Sequence, residues 1–162
     1  MAKEIERKFL VFGDRWRQLA EGMEYRQGYL QRQNKRTVRV RIAGDRGFLT
    51  IKGETRGVTR LEYEYPIPKD DALEMLANLC DHPQIQKKRY HIVHEGFKWD
   101  VDEFFGDNAG LIVAEIELRS PTEAFPKPDW IGVEVSGLSR YYNASLVSYP
   151  YSQWTTAERQ SV

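Results

Sequence analysis

From residue 3 to about residue 118 the chain alternates, residue by residue, between apolar and charged or polar side chains. Short turn signals interrupt it at Gly44-Asp45-Arg46-Gly47, Gly53 to Gly57, Glu95-Gly96 and Gly106-Asp107-Asn108. A period of two belongs to strands, whose successive side chains point to opposite faces. It predicts eight strands, over residues 3–10, 23–33, 36–43, 46–54, 59–67, 84–94, 97–104 and 111–118. Most connections are hairpin-length, with two exceptions. Gly13-Asp14 ahead of Arg15-Trp16-Arg17-Gln18-Leu19 predicts a capped short helix, and Pro68-Lys69-Asp70-Asp71 opens a helical pattern from Ala72 to Leu79 with an acidic first turn. Eight consecutive, mainly antiparallel strands favour a meandering barrel or strongly curved sheet over a doubly wound fold. After Ser120-Pro121-Thr122 the alternation weakens. Arg140 to Leu146 reads as a late helix, Pro126, Pro128 and Pro150 mark irregular chain, and Ala157 to Val162 reads as loose. No repeat or linker divides the 162 residues, so one domain over 1–162 is expected.

The polar parity is unusual in being almost fully ionised. Glu4, Glu6 and Lys8 share one row, with Ile5, Arg7 and Phe9 interleaved; Arg39 and Arg41 alternate with Val38, Val40 and Ile42. Thr50 and Lys52 share a row, as do Arg60, Glu62 and Glu64, then Lys87 and Arg89, Asp100 and Asp102, and Glu115 and Glu117. A half-solvated strand explains any single row. It does not explain sorting by sign: carboxylates pair at 4/6, 62/64 and 115/117, whereas 39/41, 52 and 87/89 are purely cationic. Two carboxylates about 7 Å apart on one face repel mildly, and a divalent cation held between them turns that repulsion into affinity.

Parity alone leaves open whether these rows line a lumen or face bulk water, and a small soluble barrel ordinarily has an apolar interior. If they meet inside a barrel, dry burial of so many charges would cost many kcal/mol, so the cavity must be wet or hold ions. A ligand matching both signs would be a polyanion arriving with hard divalent cations, such as a nucleotide or inorganic polyphosphate.

Composition narrows the classes. With 24 basic and 24 acidic residues the formal charge is zero, so no nucleic-acid partner is expected. Cys80 is the lone cysteine, which excludes a disulfide framework and fits a reducing cytoplasm; no apolar segment suggests a signal or a membrane partner. His91 and His94 fall on opposite faces of a strand, which argues against a zinc site, and His82 lies in a loop beside Pro83.

The rows resemble the CYTH superfamily of triphosphate tunnel metalloenzymes. Glu4-Ile5-Glu6-Arg7-Lys8 is similar to its N-terminal E-x-E-x-K signature. The resemblance continues through Gln27-Gly28-Tyr29-Leu30, Val38 to Arg41, Thr50 to Gly53, Arg60 to Glu64, Ile85 to Tyr90, Trp99 to Phe104 and Ala114 to Leu118. Val135-Ser136-Gly137 and Tyr141 to Leu146 resemble a closing segment in which Thr is usual at position 136 and an acidic residue at 138. The resemblance implies a mainly β (α+β) fold, an eight-stranded antiparallel β-barrel tunnel with a charged lumen and helices packed outside. It implies Mg²⁺ or Mn²⁺ on Glu4, Glu6, Glu115 and Glu117, with Asp102, Glu62 and Glu64 as further ligands or water-orienting groups. Lys8, Arg39, Arg41, Lys52, Lys87 and Arg89 would clamp the triphosphate. Lys8 could instead serve as a base if neighbouring cations depress its pKa, with Tyr29 beside it on an adjacent strand. The expected activity is metal-dependent hydrolysis of inorganic triphosphate. Thiamine triphosphatase and class IV adenylyl cyclase are the alternatives, followed by a non-catalytic polyphosphate- or nucleotide-binding module. The expected partner is a small-molecule polyphosphate, and a homodimer is left open.

Overall fold

The computed structural model describes residues 2–32 and 35–160. Each predicted strand forms: β1 (Lys3–Val11), β2 (Gly22–Gln31), β3 (Thr37–Ala43), β4 (Arg46–Lys52), β5 (Thr59–Ile67), β6 (Ile85–His94), β7 (Phe97–Phe104) and β8 (Ile112–Glu117). The predicted end of the second strand, Gln33, lies outside the described residues. The strands pair antiparallel in the order β5-β4-β3-β2-β6-β7-β8-β1, and β1 returns to β5, closing an eight-stranded barrel.

Closure is narrow. Lys3 to Ile5 pair with Leu61 to Thr59, after which the same edge of β1 passes to a short strand absent from the sequence prediction, β9 (Ile131–Glu134). At the change of partner Glu6 N–H donates to Val58 O (3.1 Å), Lys8 N–H donates to Ser136 Oγ (2.9 Å), and Val135 N–H donates to Lys8 O (2.8 Å). A buried strand edge needs partners for its backbone groups, and β9 with Ser136 supplies them. Four residues behind Pro126 and Pro128 are too few to show alternation.

The barrel's outer face is apolar and largely covered, except on β4 and β5, where Ile51, Leu61, Tyr63 and Tyr65 stay exposed. α1 (Lys69–Asn78) lays Ala72 and Leu76 against Val40 and Ile42. A Cβ at Gly28 of β2 would sit 3.0 Å from Cys80 Cβ and 3.1 Å from Leu76 Cδ2, so glycine allows this approach. Burial pushes the Cys80 thiol up to about 11 and leaves it unreactive at neutral pH. Elsewhere Trp16, on a 3-10 turn at Arg15–Gln18, packs edge-on to Tyr90 at 5.0 Å, and Phe9, Trp99, Trp130 and Phe125 interlock. Asp14 makes no side-chain cap to that turn, contrary to expectation; its carbonyl accepts from Arg17 N–H at 3.1 Å.

The late helix departs from the expected arrangement. α2 (Asn143–Ser148) does not lie on an outer face. Leu146 and Val147, with Tyr141 and Trp154, pack on Tyr29, Ile85, Phe104 and Val113. Ile85, Phe104 and Val113 share the parity of Lys87, Asp102 and Glu115, so the inward rows turn apolar at one end and the C-terminal segment plugs it. The segment predicted to be loose forms a short α3 (Thr156–Gln160) closed by a capping box: Thr155 N–H donates to Glu158 Oε1 (3.0 Å) and Glu158 N–H to Thr155 Oγ1 (3.1 Å). Ser161 and Val162 lie outside the described residues.

Candidate active site

The ionised rows point inward around a cavity of about 550 Å³. Barrel closure thus decides the question parity left open. Of the predicted site residues all but Asp102 line this cavity, and they divide by wall.

On the wall of β1, β5 and β8, carboxylates meet carboxylates. β1 and β8 pair Glu6 with Glu117 and Lys8 with Glu115. Glu4 lies within hydrogen-bonding reach of Glu62, and Glu6 of Glu115. Burial, then the charges of Glu115 and Glu4, push Glu6 well above the usual carboxylate range; burial also raises Glu4 against the pull of Lys52. In their partners burial is outweighed: Lys8 and Arg89 hold Glu115 well below its ordinary value, and the Glu4 hydrogen bond and Lys52 hold Glu62 down. The two members of each pair therefore shift in opposite directions, as interacting carboxyls do. Lys52 Nζ spans Glu4 (3.2 Å) and Glu62 (3.1 Å). Glu117, at the open end, is raised by burial and by Glu4 and Asp100. Among the described residues no three of the His, Cys, Asp and Glu side chains converge to enclose a metal ion.

The opposite wall is cationic. Lys87 Nζ donates to Asp102 Oδ2 (2.7 Å) and to Asn143 Oδ1 (3.0 Å), while Arg89 grips Asp102 through Nε (2.7 Å) and Nη2 (2.8 Å). Asp102 opposes Arg89 in the β6–β7 ladder and is 1% exposed; its oxygens are engaged by these cations, not turned to the other carboxylates. Burial raises its pKa, but Arg89 and Lys87 prevail and hold it at about 2. On β3, Arg39 Nη2 reaches Thr50 Oγ1 (3.3 Å) and Glu64 Oε2 (3.6 Å), yet its buried Nε has no partner. Arg41 donates from Nε to Gln27 Oε1 (2.8 Å) and, among the described residues, forms no ion pair. Burial, with Arg39 and Arg89 nearby, lowers it to about 9.

Lys8 sits where the walls meet, its Nζ 3.7 Å from Glu115 Oε1 and 5.6 Å from the centroid of Tyr142. Burial lowers its pKa, but Glu115, Glu6 and further carboxylates outweigh this and leave it raised, opposite to the depression a base role needs. Tyr29 lines the cavity on β2, but β2 lies between β3 and β6 while β1 meets β5, β8 and β9, so the structure does not bring Tyr29 to Lys8 as a strand neighbour. The strongly lowered lysine is Lys87, where burial and the charges of Arg89 and Arg41 exceed the support of Asp102.

Sequence reasoning missed Tyr25, Gln27, Asn143 and Tyr142 as site residues. All but Gln27 line the cavity, and Gln27 bridges Arg41 and Asn143 from beneath it. Tyr25 and Gln27 share the parity of Tyr29, a signal available in sequence but masked because neutral residues do not stand out in a charged row.

The CYTH domain family matches residues 2–148. A curated inorganic triphosphatase of Acetivibrio thermocellus is 53% identical over 154 residues, covering 95% of this chain and 99% of that protein. One of Nitrosomonas europaea is 35% identical over 147 residues, covering 88% and 95%. The crystal structure of an inorganic triphosphatase, 34% identical, superposes with a TM-score of 0.63 over 91% of this chain and 95% of that one. With the closed barrel, the inward charge rows and this span of similarity together, the chain belongs to the CYTH domain family.

Proposed function

We propose that this tunnel hydrolyses inorganic triphosphate (tripolyphosphate) with Mg²⁺ or Mn²⁺ bound at its acidic wall. The observation that carries the reading is the β3 wall: among the described residues buried Arg39 Nε has no partner and Arg41 forms no ion pair, so two guanidinium groups there keep donor capacity that suits an anion. Two curated relatives named inorganic triphosphatases support it.

Arg39, Arg41, Lys52, Lys87 and Arg89, with Lys8, are assigned to phosphate oxygens, where charge-assisted hydrogen bonds are strongest. Lys8 is assigned to this clamp and not to a base, since its surrounding carboxylates keep it protonated. Asp102 is assigned as counter-ion to Lys87 and Arg89, whose positions it fixes. Glu4, Glu6, Glu115 and Glu117 are assigned to the metal. Their pairwise contacts fit an ion of the Mg²⁺ type, which keeps several waters and takes one or two carboxylates plus substrate phosphates. When bound, that ion supplies Lewis-acid stabilisation of phosphoryl oxygens. Phosphoryl transfer then needs chiefly positioning and a water in line with the leaving group, a role assigned to Glu62 and Glu64, which line the cavity. Tyr29 is kept as a lining residue at the plugged end.

The chain 1–162 is read as one domain in a cytoplasmic setting without a nucleic-acid partner, in keeping with its zero net charge. A homodimer would use the outer face where Ile51, Leu61, Tyr63 and Tyr65 remain exposed. The test is phosphate release from tripolyphosphate, thiamine triphosphate, ATP and pyrophosphate with Mg²⁺, Mn²⁺ or chelator. Turnover is expected for tripolyphosphate first and only with metal. Cyclic AMP from ATP, or turnover in chelator, would overturn the reading.

A further inference from the structure

Of the tyrosines that line the cavity, Tyr25 is the one against which three cations gather. It lies on β2, laddered to Ala43 of β3 on one side and Lys87 of β6 on the other. Its ring centroid is 5.0 Å from Arg41 Cζ, 5.1 Å from Arg89 Cζ and 5.9 Å from Lys87 Nζ. Three cations gathered on one ring repel one another, and among the described residues Arg41 forms no ion pair to offset this. An aromatic ring carries partial negative charge on its faces and attracts cations at such distances, while adding no formal charge that would compete with an anion. An Asp or Glu at position 25 would neutralise the wall and block the phosphate path; an aliphatic residue would leave the repulsion unrelieved.

We propose that Tyr25 is a positioning residue for the phosphate clamp, its ring spacing Arg41 on β3 from Arg89 and Lys87 on β6 and holding all three converged on the tunnel before substrate enters. The inference rests on the triphosphate reading of the same tunnel. The ring acts through its π face, so its hydroxyl, 3.4 Å from His91 Nε2, is dispensable.

The test compares Tyr25→Phe with pentafluorophenylalanine at position 25, the same shape with its quadrupole reversed. Tripolyphosphate binding is measured by calorimetry in chelator, and KM and kcat with Mg²⁺. The phenylalanine variant is expected to match wild type to about twofold; the fluorinated ring raises Kd and KM by about tenfold and leaves kcat within about threefold. A cycle of Tyr25→Leu with Arg41→Gln adds a second measure: the two losses in binding are expected to be less than additive, because the ring acts through that arginine. Equal binding by the fluorinated and unfluorinated rings, equal loss in both, or strict additivity would overturn the inference while leaving the proposed function standing. Wild-type protein that neither binds nor hydrolyses tripolyphosphate would overturn both.

Discussion

On the wall of β6 and β7, Lys87 and Arg89 close on Asp102, and three buried charges satisfy one another within the protein. On the adjoining wall of β8, β1 and β5, Glu4 with Glu62 and Glu6 with Glu115 are like charges in contact, with Lys52, Lys8 and Arg89 partly offsetting them. The first wall has an internal counter-ion; the second sets carboxylates against carboxylates. Burial penalises charge on both, and the sign of the nearest neighbour decides the outcome, holding Asp102 at about 2 and driving Glu6 well up. One wall thus carries a counter-ion for its cations, and the other gathers like charges whose repulsion a divalent cation would relieve.

Replacing Asp102 should strike this contrast hardest. Asp102→Asn strands two buried cations and is expected to cost about 3–5 kcal/mol, a fall in Tm on the order of 10 °C in thermal unfolding. A Tm within about 2 °C of wild type would mean the cationic wall is not held from within. Glu6→Gln should do the reverse. In chelator it removes a repelling charge and raises Tm by about 2–4 °C, for roughly 1 kcal/mol, while metal-supported activity drops about a hundredfold. A Tm loss in chelator would erase the distinction between the walls.

The contrast also has a pH signature. Glu6, raised above its ordinary 4.5, contributes stability below that value and loses it as pH rises through its folded pKa. The Tm gap between Glu6→Gln and wild type in chelator should therefore widen as pH climbs above 4.5, and Mg²⁺ should narrow it. Asp102 runs oppositely: its contribution is present above its ordinary 3.8 and is lost as pH falls toward about 2. The smallest effect expected is at the β1 seam. Ser136→Ala removes the acceptor for Lys8 N–H and the partner of Glu134, for about 1 kcal/mol and 2–4 °C in Tm.

Much of the fold was legible because alternation and turn residues are local. The strands match their predicted bounds to within two residues where described, and α1 begins at Lys69 with Asp70 and Asp71 as its predicted acidic first turn. β9 was illegible because it exists to satisfy an edge of β1 more than a hundred residues earlier, and the plug because α2 is amphipathic toward a barrel end, not toward a sheet face. The α3 capping box, by contrast, stood readable in Thr155-Thr156-Ala157-Glu158. Within the site, parity identified the inward residues, yet strand order keeps Tyr29 from being a neighbour of Lys8, and the Asp102 oxygens are taken up by Lys87 and Arg89.

The sequence by itself determined which side chains share a face and the sign of each row, since period two is a property of the extended backbone. Only the tertiary structure decided that those rows face a lumen, that β1 lies between β8 and β5, and that Tyr25 stands among three cations. The physical reason is closure: pairing β5 with β1 and β2 with β6 joins segments distant in the chain, and those non-local ladders bring each charge to its partner.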